Sequence, residues 1–549
     1  MARGADMLGG LLQEAGVKYV FGIPGGQVLS IIDFLRRTPS IRFVTVRHEG
    51  AAAVMADAVG RITGRPGVCL ATTGPGATNL LTGIGGALKD SSPVVILVAS
   101  NNQRDFGRDD AQDLDHIQVF APLVKHARRV THPGHLVEAV RQAFRLAVTG
   151  CPGPVLLEFS RELLELDGGE FPELGTPTDS SPVRPAPSES AIADFVELIN
   201  SARRPVFWLG NGAKIAGAGE LLLRLAERTQ APVITTYNGT GVVPTDHPQV
   251  FGTLYRHGSA IASDVINEAD RVIAIGNSLN AISTKRWELK LPGLVQVDVD
   301  TSVIGRYYAV ERAIVSDAVE FARSLEGATW SVPSDRTAWL ADLQHRRQRW
   351  AAGLGRPDTP QGVDPVRVFE VLREHLNEPA NLLVDAGNPG IWSLVMPLRG
   401  ADRYFKPVGF GNMGFALPAA IAASLVDTER MPVAVLGDGS LGMTLGELET
   451  AGRERVPMLM VVLDDQGLGN IRQEEQFKYG VGAREAVGVT FSPVDYVSIA
   501  ESCGWQGWCA ASSGELTHAL SMAVAAAHSG PAIVQVRIDG DRSVWPTAY

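Results

Sequence analysis

The chain has 549 residues, 45% hydrophobic and 20% charged, which is too apolar for disorder and long enough for roughly three to four domains. Lys and Arg number 49 against 60 Asp and Glu, a net charge of −11 without any strongly basic patch, so nucleic-acid binding is not expected. No apolar run reaches the roughly 18 residues of a membrane span, and the start, MARGADMLGGLLQEAG, reads as an amphipathic helix rather than an export signal.

Beyond that start, short β-branched runs alternate with Ala- and Leu-rich helical stretches. Residues 17–21, 43–46, 68–72 and 94–98 read as strands, each followed by a Gly-rich turn. Such alternation predicts an α/β fold of doubly wound parallel sheets. Two breaks interrupt it. Residues 167–190 are rich in Pro, Gly, Ser and Thr, and residues 330–364 hold a charged helical piece followed by GLGRPDTPQG. They divide the chain into domains at 1–166, 190–328 and 365–549. Cys69, Cys151, Cys503 and Cys509 form neither a Cys-x-x-Cys pair nor a zinc-ligand spacing. They read as buried small side chains in a reducing cytoplasm.

The strongest local signal is Gly437-Asp438-Gly439-Ser440. It follows an apolar strand at 433–436 and precedes a helical stretch at 445–453. A second strand, 458–463, ends at Asp464-Asp465-Gln466-Gly467. A strand, a crossover helix and a parallel strand would place Asp438 and Asp465 at neighbouring carboxyl ends, where such sheets bind ligands. Two carboxylates there, with glycines that let backbone amides approach, suit a divalent metal holding a diphosphate.

This pattern resembles the thiamine diphosphate motif, which normally ends in Asn-Asn rather than Asp464-Asp465. The resemblance implies that Asp438, the side chain of Asp465 and the carbonyl of Gly467 bind Mg²⁺. Gly437, Gly439, Ser440, Gly467, Leu468 and Gly469 would then contact the cofactor. Further matches span nearly the whole chain. Pro24, Gly25 and Gly26 are similar to the family's first loop. Thr73 opens its Gly-Pro-Gly turn, and Asp385-Ala386-Gly387-Asn388 is similar to its upstream diphosphate loop. Arg47-His48-Glu49 resembles its Arg-His-Glu motif. By that resemblance Glu49 bonds the aminopyrimidine ring nitrogen and relays its proton. Gly411 would contact the same ring and Met413 would wedge the cofactor into its bent form. A lone Glu at a strand end is otherwise a solvated cap, and a Met between glycines an ordinary gap-filler.

Within the superfamily the chain most resembles acetolactate synthase catalytic subunits. TTGPGATNLLTGI, Asp246-His247-Pro248, and Gln112 ahead of Pro122-Leu123-Val124-Lys125-His126 carry that likeness. Gln112 aligns with the active-site glutamine. The expected activity is a thiamine diphosphate- and Mg²⁺-dependent decarboxylating carboligase. It would join a 2-keto acid donor, pyruvate first, to a carbonyl acceptor. The expected assembly is a homodimer or homotetramer with active sites between chains. Two departures bear on this. Ser278, Leu279, Asn280, Ala281 and Ile282 replace the Arg-Phe-Asp-Asp-Arg that holds FAD and the acceptor's carboxylate, so FAD should be absent or loosely held. Glu474 stands where the synthase has the Trp that selects its second keto acid. Gly210-Asn211-Gly212 is a weak nucleotide signal alone. Pyruvate decarboxylase fits less well: its His pair aligns near Asn101-Asn102, and its later catalytic Glu with Ile471. Arg256, His257 and Arg472 remain as candidate acceptor contacts, although each alone reads first as a surface residue or one set behind the site. A simple 2-keto acid decarboxylase, a lyase running the ligation backwards, and a catalytically silent regulatory or assembly homologue stay open.

Overall fold

Strands that are apolar at every position, rather than at alternate ones, are buried on both faces, as in a parallel sheet between helix layers. The computed structural model, which describes residues 3–168, 171–172, 174, 181–255, 257–354, 357–482 and 485–542, contains three such sheets of six parallel strands. The first comprises β1 (Tyr19–Gly22), β2 (Arg42–Thr45), β3 (Gly67–Ala71), β4 (Val94–Ser100), β5 (His126–Val130) and β6 (Pro154–Ser160), ordered β2-β1-β3-β4-β6-β5. The second comprises β7 (Pro205–Leu209), β8 (Val233–Thr236), β9 (Val250–Leu254), β10 (Arg271–Ile275), β11 (Val295–Asp298) and β12 (Arg312–Val315), ordered β12-β11-β10-β7-β8-β9. The third comprises β13 (Ala380–Val384), β14 (Arg403–Phe405), β15 (Met431–Gly437), β16 (Met458–Asp464), β17 (Gln506–Ala510) and β18 (Pro531–Arg537), ordered β14-β13-β15-β16-β18-β17.

The first and third sheets share one topology. Each reverses direction beside its first strand, between β1 and β3 or between β13 and β15. The second sheet reverses between β7 and β10. Loops diverge at such points and leave a crevice outside the carboxyl ends. Strands β15 and β16 are parallel neighbours, with Gly437 opposite Leu463, so Asp438 and Asp465 emerge side by side as expected.

Helix Glu49–Thr63 and helix Ala416–Val426 pack against each other and join the first and third units. Their contact is alanine-rich, with Ala52, Ala53 and Ala56 in one core with Ala416, Ala419 and Ala420. Small side chains let the helix backbones approach closely. Asp90 completes the junction and draws on all three units. Its carboxylate accepts the N–H groups of Val408 and Gly409 (3.1 and 2.7 Å), Asn238 Nδ2 (2.9 Å) and Arg61 Nη2 (3.0 Å). Its carbonyl accepts Asn211 Nδ2 at 2.8 Å. Asp90→Ala should therefore destabilise the protein by about 3 kcal/mol, because it strands buried donors rather than one surface pair. A thermal midpoint equal to that of the parent would show that the junction tolerates their loss.

Several local expectations shift. The helix expected at 445–453 is Glu447–Glu454, and a further short helix, Asp438–Met443, precedes it, so Asp438 itself opens a helix. The second linker is tied down, since Asp358 accepts both the amide and the hydroxyl of Ser513 at 2.7 Å. The cysteine reading needs correction: Cys69 is buried, but Cys151 and Cys509 are exposed and Cys503 lies between. Cys509 sits on the edge strand β17, and Cys151 in the turn before β6. Among the described residues no helix is long and apolar enough to cross a membrane.

Candidate active site

The predicted residues of the third unit converge. Gly387, Asn388, Gly411, Met413, Gly437, Asp438, Gly439, Ser440, Asp465, Gly467, Leu468 and Gly469 all line one cleft of about 230 Å³. It opens beyond β13, β15 and β16, at the topological reversal. Gly387 and Gly411 take φ of +79° and +71°, a left-handed backbone that only glycine adopts without strain. Gly387 thereby turns the chain from β13 into helix Asn388–Trp392.

Asp438 is the chemical centre of this cleft. It is 2% exposed, and its Oδ1 has no hydrogen-bond partner. Burial, then the charges of Asp465 and Asp464, push its carboxyl up to about 7, against the amides of Gly439 and Gly467 that face it. Burial likewise raises Asp465 to about 6, opposed chiefly by the Arg472 guanidinium. An orphaned buried carboxylate beside a second one is costly unless a cation joins them. The donors therefore fit a hard divalent metal with oxygen ligands. No group of three His, Cys, Asp or Glu side chains among the described residues could hold a metal. Two carboxylates and a carbonyl need no third when diphosphate oxygens complete the shell.

One residue holds the cleft's far wall. Asp385 is fully buried at the end of β13. Its carboxylate accepts the amides of Gly414, Phe415 and Ala416 and the hydroxyl of Ser440, at 2.8–3.1 Å. The segment carrying Gly411 and Met413 is thus fixed at its end by Asp385 and at its start by Asp90. Burial pushes the Asp385 carboxyl up, and these donors oppose it.

The N-terminal predicted residues form a second cluster beyond β1 and β3. A Cβ on Gly25 would lie 2.6 Å from Thr72 Cβ, so the first loop rests against the strand end. Pro24 and Gly26 flank it and are exposed. Thr73 Oγ1 donates to the carbonyl of Gln112 at 3.2 Å. Gln112 is exposed and held at φ +64°, a backbone conformation uncommon outside glycine. Glu49 is 8% exposed and opens its helix, with His48 Nδ1 capping the Gly50 amide. Its Oε2 accepts Asn79 Nδ2 at 2.9 Å, and its Oε1 lies against Gly76. The preceding amides, of Arg47 and His48, donate to Glu447 Oε1 of the third unit at 3.0 and 3.1 Å.

The two clusters do not meet within the chain. Among the described residues nothing before Ala386 lines the cleft.

Family models match this chain in three consecutive stretches. The thiamine pyrophosphate enzyme N-terminal TPP binding domain matches residues 2–119, the central domain 192–325 and the C-terminal TPP binding domain 385–536. The chain belongs to the thiamine pyrophosphate enzyme family. A relative named "Probable acetolactate synthase large subunit", from Methanocaldococcus jannaschii, is 34% identical over 91% of this chain and 86% of its own length. The acetolactate synthase large subunit of Corynebacterium glutamicum is 32% identical over 99% of this chain and 88% of its own. The acetolactate synthase isozyme 1 large subunit of Escherichia coli is 30% identical over 99% and 95%. The chain is an enzyme of the acetolactate synthase-like, thiamine diphosphate-dependent type.

In this thiamine pyrophosphate enzyme the N-terminal cluster lies in one TPP-binding domain and the cleft in the other. Sequence reading missed a buried pair behind Thr73. Gly74 N–H donates to His116 Nε2 (3.0 Å), which leaves the ring proton on Nδ1, 3.4 Å from Glu158 Oε1. The pair stiffens the Gly-Pro-Gly turn. Its only sequence signal is a His in an otherwise ordinary short helix. Two acceptor contacts are also displaced. Arg472 is paired to Asp465, and His257 is buried in the central domain, edge-on to Tyr255. Arg256 lies outside the described residues. Glu474 pairs with Lys478 on its own helix, while Ile471 is exposed and lines the cleft.

Proposed function

We propose that the protein is a Mg²⁺-dependent decarboxylating carboligase that uses a 2-keto acid, pyruvate first, as donor. The observation that carries this reading is the orphaned Asp438 carboxylate in a cleft lined by Asp465, Gly467, Gly411 and Met413. Asp438, Asp465 and the carbonyl of Gly467 would hold the metal. The turns Gly437–Ser440 and Gly467–Gly469, which line the cleft, would seat the diphosphate. Thiamine diphosphate, when bound, supplies the nucleophile and the electron sink that removal of CO₂ from a keto acid requires. Glu49 would hold and return a proton at the aminopyrimidine ring nitrogen, from its buried place at the start of helix Glu49–Thr63. Gln112 would orient the second carbonyl. Its carbonyl is fixed by Thr73, and its side chain is at the surface of the cluster.

Because each chain separates Glu49 from the cleft, we read the working unit as a dimer or larger homo-oligomer in which one chain's N-terminal cluster covers another's cleft. Mass spectrometry of products from pyruvate with a panel of keto acids and aldehydes tests the activity. Carboligation products support it. Aldehyde alone would make the enzyme a decarboxylase, cleavage of added hydroxyketones a lyase, and unchanged pyruvate would refute it.

FAD is not expected to bind stoichiometrically. The Gly210 and Gly212 amides are spent on the carbonyls of Ile275 and Gly276, both at 2.9 Å. A Cβ on Gly212 would sit 2.7 Å from Gly276 Cα, so this glycine serves loop-to-loop contact. Ser278, Asn280 and Ile282 bring no cation to a phosphate. The purified protein should show no flavin absorbance in the visible blue. A stoichiometric yellow protein would overturn this.

A further inference from the structure

The diphosphate motif of this chain ends in two aspartates where the pattern it resembles has two neutral asparagines. The structure treats the two differently. Asp464 is engaged away from the cleft: its Oδ1 accepts the Gln466 amide at 3.1 Å and its Oδ2 accepts Gln535 Nε2 at 3.0 Å. Asp465 lines the cleft, and its Oδ2 accepts Arg472 Nη2 at 2.7 Å. Both side chains of that pair are buried, 9% and 7% exposed. Arg472 comes from helix Gly469–Tyr479, which begins directly after the motif.

Space for the pair is built by glycines. A Cβ on residue 469 would fall on Asp465 Oδ2. A Cβ on residue 540 would lie 2.5 Å from Arg472 Nη2, and one on residue 467 would lie 3.1 Å from Nη1. Gly540 belongs to the chain beyond β18, so an element outside the motif also yields room to the guanidinium. A buried ion pair this close repays its desolvation only when both partners are present.

We propose that Arg472 is the charge-compensating partner that allows an aspartate to serve where the family pattern places a neutral metal ligand. The guanidinium neutralises Oδ2 and leaves Oδ1 as the metal donor. The Asp438 and Asp465 site then offers a divalent cation the net charge of an Asp–Asn site, and the incoming diphosphate is not repelled. This inference rests on the metal and diphosphate reading given above.

The test is a double-mutant cycle on the full-length protein freed of cofactor. Mn²⁺ binding is followed by electron paramagnetic resonance, and thiamine diphosphate binding at saturating Mn²⁺ by calorimetry. Arg472→Met should bind Mn²⁺ alone ~10-fold more tightly and thiamine diphosphate ~10-fold more weakly than the parent, as an uncompensated carboxylate would. Asp465→Asn, which leaves the guanidinium unpaired, should bind Mn²⁺ ~10-fold more weakly. Asp465→Asn combined with Arg472→Met should return both affinities to within a few-fold of the parent, and this folded double variant answers the concern that a single one merely misfolds. A double variant that keeps the weakened thiamine diphosphate binding of Arg472→Met, or an Arg472→Met protein indistinguishable from the parent, would overturn the compensation while leaving the site itself standing. A parent protein that binds neither Mn²⁺ nor thiamine diphosphate would overturn the underlying functional reading, and this inference with it.

Discussion

Glu49→Gln should lower turnover by ~10² or more while thiamine diphosphate binding stays within a few-fold of the parent. The structure explains why these effects should separate. Glu49 opens helix Glu49–Thr63, but the cap is His48 and the helix is held by its alanine face against Ala416–Val426. Glutamine keeps the oxygen that accepts Asn79 Nδ2 and fills nearly the same volume against Gly76. It cannot release and recover a proton. A structural role would give the opposite pattern, an unfolded or cofactor-free protein with no specific loss of turnover. Steady-state rates with cofactor titration distinguish the two. A Glu49→Gln enzyme with parental turnover would remove the proton-relay assignment and leave Glu49 as a packing residue.

What was legible in the sequence was what local backbone periodicity encodes. Apolar runs ending in Gly-rich turns gave the parallel strands, and the distance from Asp438 to Asp465 gave their adjacency, because a strand, a crossover helix and a strand consume a narrow range of residues. The cleft therefore assembled from residues named in advance. What was not legible were polar partnerships that follow no period. Asp90 reads as an acid at a helix end, yet it bonds residues of two other units. Arg472 reads as a surface helix residue that could greet a substrate. Its inward turn depends on an aspartate one loop earlier and on a glycine far along the chain. His116 needed Glu158, on strand β6, before it meant anything. In each case the deciding neighbour is set by tertiary packing, and a single sequence carries no signal of it. The exposed Cys151 and Cys509 show the same limit from the other side, since composition says nothing about which cysteines tertiary packing leaves at the surface.

The separation of the Glu49 cluster from the cleft leads to the second large effect. Asp438→Ala should abolish metal-dependent thiamine diphosphate binding, because it deletes the orphaned buried oxygen that a cation would engage. Asp438→Ala and Glu49→Gln proteins should therefore each be inactive or nearly so, for different reasons. Mixed in equal amounts, under conditions that let subunits exchange, they should recover about a quarter of the parental specific activity, if chains reassort at random into dimers with independent sites. Half of the dimers would be mixed, and in each of those one site would carry both defects and the other neither. Among the described residues the cleft is lined from Ala386 onward, and Glu49 faces Gly76 and Asn79 of its own N-terminal cluster. If one chain supplied both halves, every site in the mixture would retain one defect, and subunit exchange would change nothing. Exchange is confirmed independently by mass spectrometry of differently tagged chains. Activity that stays at the level of the separate variants, with mixed dimers demonstrated, would place Glu49 and Asp438 in the same chain's site. The cleft would then have to close onto its own N-terminal unit when cofactor binds.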